Sequence, residues 1–195
     1  MIKARKYIIL SSLLIILTIP IFFGLFIEYF TILELNWNIF LIFIIGILIL
    51  LFIGKIIEIF GYSNKNVEAI RKQDVINALI NKDKRAIIWF FFPIIIIIEE
   101  LVFRYYGIGI LIHILDLESF SAIFISSLIF SSYHIHIWFR YKNLKILLIN
   151  LGYPFLMGLY IGYMFLKLGF IPCIIIHYII ALIMYYGIYR RYFKD

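Results

Sequence analysis

The sequence predicts an all-α, polytopic membrane protein of about six transmembrane helices, and three observations carry that prediction. Of its 195 residues, 65% are hydrophobic and only 15% charged, whereas a soluble domain runs nearer half apolar and about a quarter charged. The apolar residues fall in runs of about 20, the length a helix rising about 1.5 Å per residue needs to cross a hydrocarbon layer about 30 Å thick. The Lys and Arg residues behind the net charge of +7 stand between those runs, where they serve as orientation signals and lipid-headgroup contacts. No basic stripe with interleaved aromatics offers a track to nucleic acid. Cys173 is the single cysteine, so no intramolecular disulfide is possible, and it reads as a small buried hydrophobe.

The elements follow in order. Lys3, Arg5 and Lys6 precede an apolar stretch from Tyr7 to Ile27, too long for a secretory h-region, which reads as a retained first span. The second runs from Trp37 to Phe60, the third from Pro93 to Leu115, the fourth from Phe120 to Phe139, the fifth from Leu144 to Leu166 and the sixth from Phe170 to Tyr189. Pro93 suits a first helical position. Between the second and third spans lies the one long polar insert, Gly61 to Arg85. It places Val67, Ile70, Val75, Ile76, Leu79 and Ile80 near helical spacing among Lys65, Arg71, Lys72, Lys82, Lys84 and Arg85, so it is either a helix lying on the inner leaflet or a solvated connector. The chain thus divides into two N-terminal helices with a basic amphipathic segment, 1–86, and a core of four helices with a short basic tail, 87–195, within one integral domain. Six spans leave both termini on one side. All of the 18 basic residues except Arg104 and Lys167 fall on that side, which predicts cytoplasmic termini in the cytoplasmic membrane.

Glu99, Glu100 and Arg104 lie inside the third span, in a run that opens Ile94-Ile-Ile-Ile-Ile. An ionisable group near the centre of an inserted helix costs about 2.5–3.5 kcal/mol, so these three must be paired or must line a wet cavity. Glu100 and Arg104 are four apart and can form a charge-assisted pair on one face. Glu99 points about 100° away and is left to face a cavity. Two further spans carry groups that can complete one. Phe130 and His134 share a face of the fourth, the ring shielding the imidazole, and His177 stands among isoleucines in the sixth. Counting residues from the basic side, Glu99 lies about 9 Å in from Pro93 and His134 about 8 Å in, but His177 about 18 Å in from Tyr189. His177 therefore calls for a tilted or broken sixth helix, or a substrate that spans the gap. His113, near the outer end of its span, and His136, two residues from His134 and so pointing away from it, suit interface or surface roles.

These residues resemble, in order and spacing, the EExxxR, FxxxH and Hxxx(N/D) motifs of the CPBP family. They are Glu99-Glu-Leu-Val-Phe-Arg104, Phe130-x-x-x-His134, and the stretch from Phe155 through Gly162 and Leu168-Gly-Phe-Ile-Pro to His177. That family contains type II CAAX prenyl endopeptidases, bacteriocin-processing enzymes and abortive-infection (ABI) proteins, and the resemblance covers about residues 87–189. It implies a glutamate-dependent intramembrane endopeptidase with neither a covalent nucleophile nor an obligatory metal, acting on a prenylated CAAX-type tail or a leader or bacteriocin-type peptide. Glu99 would be the general base, His134 would hold and activate the water, and His177 would stabilise the oxyanion, with Glu100, Arg104 and Phe130 in support. These roles expect Glu99 and His134 within one water's reach and His177 on the opposite wall. The chain departs from the family pattern at Ala181, where an Asn or Asp donor often stands four residues beyond the histidine. Asn150, Tyr178 and the Ser131-Ser132 pair are the candidate substitutes.

No cofactor is expected. A metal site of Glu99, His134 and His177 is the minority reading, because the glutamate is not in an HExxH helix. The expected partners are the bilayer and a membrane-associated peptide or protein substrate, and no nucleic acid. Two other function classes compete. A bacteriocin self-immunity or scaffold protein would keep the motif without catalysis, and Ala181 is the feature that raises it. A transporter with an ionisable relay is disfavoured, since no inverted repeat or matching pair of Gly/Pro-broken helices is present.

Overall fold

The computed structural model describes residues 2–30, 32–62 and 67–194, and among them every regular element is a helix. In the insert, residues 63–66, Lys65 among them, lie outside the described residues, as do the side chains of Lys3 and Lys82. The chain runs through α1 (Ile2–Phe22), a 3-10 turn (Ile27–Phe30), α2 (Trp37–Phe60), α3 (Val67–Arg71) and α4 (Asp74–Ile80). It continues through a long helix α5 (87–113), α6 (Ser119–Tyr133), α7 (His136–Tyr141), α8 (Leu144–Leu168) and α9 (Phe170–Tyr192). Five stretches are long and apolar enough to cross a membrane: 5–22, 37–60, 119–141 (two helices joined by a turn at 134–135), 144–168 and 170–192. The remaining expected span is α5, continuous but alternating π (Ile87–Phe91), α (Phe92–Glu100), π (Leu101–Ile108) and α (Gly109–His113). The chain is a polytopic helical membrane protein.

Local chemistry sets the helix limits. Asn36 and Asn143 cap α2 and α8, their side-chain oxygens accepting from the N–H groups of Ile39 and Ile146. Gly169, at φ +84°, ends α8 and starts α9 in a conformation L side chains avoid, with the Tyr29 carbonyl against it. The first span stops short of Ile27. Pro20 lies in the last turn of α1, and beyond it Gly24 and Phe26 take positive φ, so the chain folds back into the 3-10 turn instead of continuing as helix.

Packing relies on small residues and tyrosines. Gly158 and Gly162, four apart on α8, face Ser127 and Ile123 of α6 so closely that an added methyl would meet those side chains, the small-xxx-small contact by which helices approach in lipid. Tyrosine hydroxyls donate to carbonyls of neighbouring helices and turns: Tyr153 to Leu50, Tyr160 to Phe43, Tyr105 to Leu25, Tyr178 to Ile88. Each gives a buried or half-buried hydroxyl an acceptor.

The insert is neither a helix lying on the leaflet nor a solvated connector. Ile70 and Ile76 pack with Ile188, and Val75 with Phe92 and Ile96, so its apolar residues dock on α9 and α5. Gln73 donates to the Tyr141 hydroxyl at 2.6 Å and Asp74 pairs with Lys6 of α1, closing the basic end of the bundle.

Candidate active site

Glu99, His134 and His177, drawn from α5, the turn after α6, and α9, line one cavity of about 430 Å³. The two adjacent glutamates divide as their helical phase requires. The side chain of Glu99 is 14% exposed and faces the cavity, whereas Glu100 is fully buried beneath it. Glu100 Oε1 lies 3.2 Å from Arg104 Nη1, the expected i,i+4 pair, and the same oxygen accepts a 2.7 Å hydrogen bond from His177 Nδ1. Arg104 is 1% exposed, and its guanidinium carbon lies 4.1 Å from the centroid of the Phe130 ring. Neither of its terminal nitrogens finds a hydrogen-bond partner among the described residues, so the ion pair and the ring face carry its charge. Arg104 also falls within the π-helical stretch, a local departure from α geometry that recurs at functional sites.

His177 is beside Glu99, not across the cavity from it: its Nε2 lies 3.9 Å from Glu99 Oε2, beyond hydrogen-bond length. No break in the last helix is needed to bring it there, since α9 is regular throughout. The depth mismatch narrows because α5 begins at Ile87, six residues before Pro93. Glu99 then stands twelve residues from the basic end of its helix and His177 fifteen from the end of α9 at Tyr192, about 18 and 22 Å. Pro93 is accommodated inside this longer helix because the preceding stretch is π-helical.

His134 is not in a helix. It is the C-cap of α6, and the chain turns at His134 and Ile135 before α7 begins. Its Nδ1 donates to the Phe130 carbonyl at 2.9 Å, while the Phe130 ring stands edge-on 5.0 Å away. The ring also meets His177 edge-on at 5.8 Å, so Phe130 touches both imidazoles and Arg104 together. The same turn overturns the reading of His136 as a residue pointing away. Helical phase is lost between the two, their ring centroids are 6.2 Å apart, and His136 also lines the cavity. His113 lies at the outer end of α5 within hydrogen-bond distance of the Tyr29 hydroxyl, 2.9 Å, as an interface role anticipates.

Of the candidate substitutes for the donor missing at Ala181, only Asn150 stands on the cavity wall, where Ala181 itself is found. Tyr178 donates to Ile88 and Ser131 to Leu151. Pro154, one turn beyond Asn150 on the same wall, lacks the N–H that would bond the Asn150 carbonyl. The sequence gives no sign of Tyr153, Tyr185 or Arg140, which also line the cavity, because nothing in their local pattern departs from an ordinary apolar run or basic flank. Among the described residues no group of three His, Cys, Asp or Glu side chains is placed to hold a metal ion.

No curated protein and no solved structure gives a significant match to the chain. The family model described as type II CAAX prenyl endopeptidase Rce1-like matches residues 82–183, from the end of the insert to just past Ala181. That stretch is half of the chain and holds every one of the buried charged residues above, so the chain belongs to the Rce1-like type II CAAX prenyl endopeptidase family, a family of proteases.

Proposed function

We propose that this protein hydrolyses a peptide bond of a membrane-associated substrate with a water activated by Glu99. The observation that supports it best is the hydrogen-bond state of the two cavity histidines. A carbonyl only accepts, so His134 Nδ1 carries the proton it gives to Phe130, and the Nε2 of the neutral ring is an acceptor. A water donating one hydrogen to Glu99 and the other to His134 has its lone pair free for a carbonyl carbon. Glu99 takes one proton of the water as the C–O bond forms and returns it to the departing nitrogen as the C–N bond breaks, leaving an amine and a carboxylic acid whose remaining proton passes to the amine, so that the products are an ammonium and a carboxylate. His177 gives its Nδ1–H to Glu100, so it offers a second N–H, from Nε2, only as imidazolium. In that form its charge balances the second carboxylate of the site and meets the oxyanion of the tetrahedral intermediate.

Arg140 at the cavity wall favours a substrate with a free C-terminal carboxylate, as a CAAX-type tail has, over an internal leader site. The crowding of basic side chains at the end where the insert docks supports a cytoplasmic position for that end, and for both termini, in the cytoplasmic membrane. The test uses the purified protein in detergent with a prenylated C-terminal peptide. Cleavage by the unaltered protein, and a fall of at least about a hundredfold in Glu99→Gln with unchanged yield and melting, is the expected result. A second reading, a non-catalytic immunity or scaffold protein, draws on Ala181, whose methyl packs near Phe92 and Ile96. Full biological effect in Glu99→Gln would favour it.

A further inference from the structure

A second concavity, of about 550 Å³, lies outside the catalytic cavity at the basic end of the bundle, between α4, the start of α5 and the end of α9. Its wall is apolar and aromatic, with Trp89, Leu182, Tyr186 and Tyr189, and Arg85 and Lys194 stand on it. Trp89 is 64% exposed and Tyr186 46%. Arg85 precedes α5 and Lys194 follows α9 by two residues each, so the two cations sit where neighbouring helices leave the apolar layer. Neither has a carboxylate partner among the described residues, and no acidic residue lines the groove, in contrast to Lys6, Lys55 and Lys167, each of which holds one.

We infer that this groove is a binding site for one anionic phospholipid of the leaflet at the basic end. The phosphate lies between Arg85 and Lys194, and an acyl chain runs along Trp89, Leu182 and Tyr186. Charge complementarity selects the headgroup: two cations that have no carboxylate partner among the described residues, beside an apolar slot, fit a molecule that is anionic at one end and hydrocarbon at the other. The aromatic side chains suit the same depth, since Trp and Tyr prefer the level where headgroups meet acyl chains. A zwitterionic phospholipid brings its own cation and gains little from Arg85 and Lys194. Two basic contacts near the membrane surface together correspond to roughly a thirtyfold preference for the anionic lipid.

Trp89 serves as the reporter. A form with Trp37→Phe and Trp138→Phe leaves it the only tryptophan among the 3 of the chain. In phosphatidylcholine vesicles carrying a small fraction of dibrominated lipid, phosphatidylglycerol brominated on its acyl chains is expected to quench Trp89 far more than brominated phosphatidylcholine at the same fraction. Arg85→Gln with Lys194→Gln removes the difference, whereas Arg71→Gln with Lys72→Gln, equal in charge but away from the groove, keeps it. Lys194→Gln alone, an exposed position past the last helix, lowers the preference about fivefold even if the double variant fails to fold. Equal quenching by the two lipids in the unaltered groove overturns the proposal. So does loss of the preference in the Arg71 and Lys72 variant, which would make it a general surface-charge effect.

Discussion

Breaking the Glu100–Arg104 pair is the sharpest test of how this bundle tolerates charge. At 3.2 Å and an effective dielectric of about 20, two unit charges attract by about 5 kcal/mol. Arg104→Met removes that attraction but leaves Glu100 its hydrogen bond from His177, worth about 1.5–3 kcal/mol to a charged acceptor. That hydrogen bond is present in parent and variant alike and cancels, so the net loss should be about 3–5 kcal/mol, the range found when one partner of a buried pair is stranded. Glu100→Gln strands the guanidinium instead, which keeps only the Phe130 ring face, and should cost a similar amount. The double variant holds neither charge, so it should be no less stable than either single, with a coupling of about 3–5 kcal/mol. Reversible unfolding in mixed micelles, followed by helical circular dichroism, measures all four forms. Single variants within about 0.5 kcal/mol of the parent, with an additive double, would show that the pair is not desolvated as its burial implies.

Three further outcomes follow from the same geometry. Ala181→Asn puts a donor on the cavity wall one turn beyond His177, so peptide cleavage should be unchanged or rise by up to about a hundredfold; a folded variant with tenfold lower kcat would count against the oxyanion role given to that wall. Cleavage should persist after exhaustive chelation with the metal content verified by elemental analysis, and activity restored only by an added metal would replace the water-activation scheme. Gly169→Ala forces a Cβ into the positive-φ region and to 2.7 Å from the Tyr29 carbonyl, so melting in detergent should fall by the equivalent of about 1–2 kcal/mol or more. A variant as stable as the parent would mean that the α8–α9 turn relaxes freely.

The spans were legible because lipid allows little else: an apolar run of about 20 residues must close its own hydrogen bonds as a helix. The separate positions of Glu99 and Glu100 were legible too, since one residue of helical rotation is enough to divide a cavity face from a buried one. What escaped the sequence lies where regular periodicity fails. The π segments of α5 moved its start back to Ile87, and without them the depth of Glu99 was set too shallow. The turn at His134 and Ile135 cancelled the helical phase that had set His136 aside. The insert carries an amphipathic pattern, but the pattern cannot say whether the apolar face meets lipid or protein; the tertiary contacts of Ile76 and Ile188 decide that. Tyrosine-to-carbonyl bonds were invisible for a similar reason, since any buried tyrosine needs an acceptor and only the packing says which.

The resemblance gave Glu100 and Arg104 a supporting part, and the geometry makes that part more specific than holding helices together. One oxygen, Glu100 Oε1, takes both the Arg104 contact and the His177 Nδ1–H. The ring of His177 is therefore oriented by the same atom that neutralises Arg104, with Nε2 turned toward Glu99 as a result. Phe130 extends the coupling, because its ring meets Arg104 on its face and both imidazoles at its edge or theirs. A change at Arg104 is thus transmitted to His177 through Glu100 and to His134 through Phe130. An arginine buried to this degree is costly to keep for packing alone, and its position offsets that cost by fixing Glu100, which orients His177, and by lying on the ring that meets both histidines. Glu100, Arg104, Phe130, His134 and His177 form one unit joined by an ion pair, hydrogen bonds and ring contacts, and the unit, not any single charge, is what the membrane interior has to accommodate.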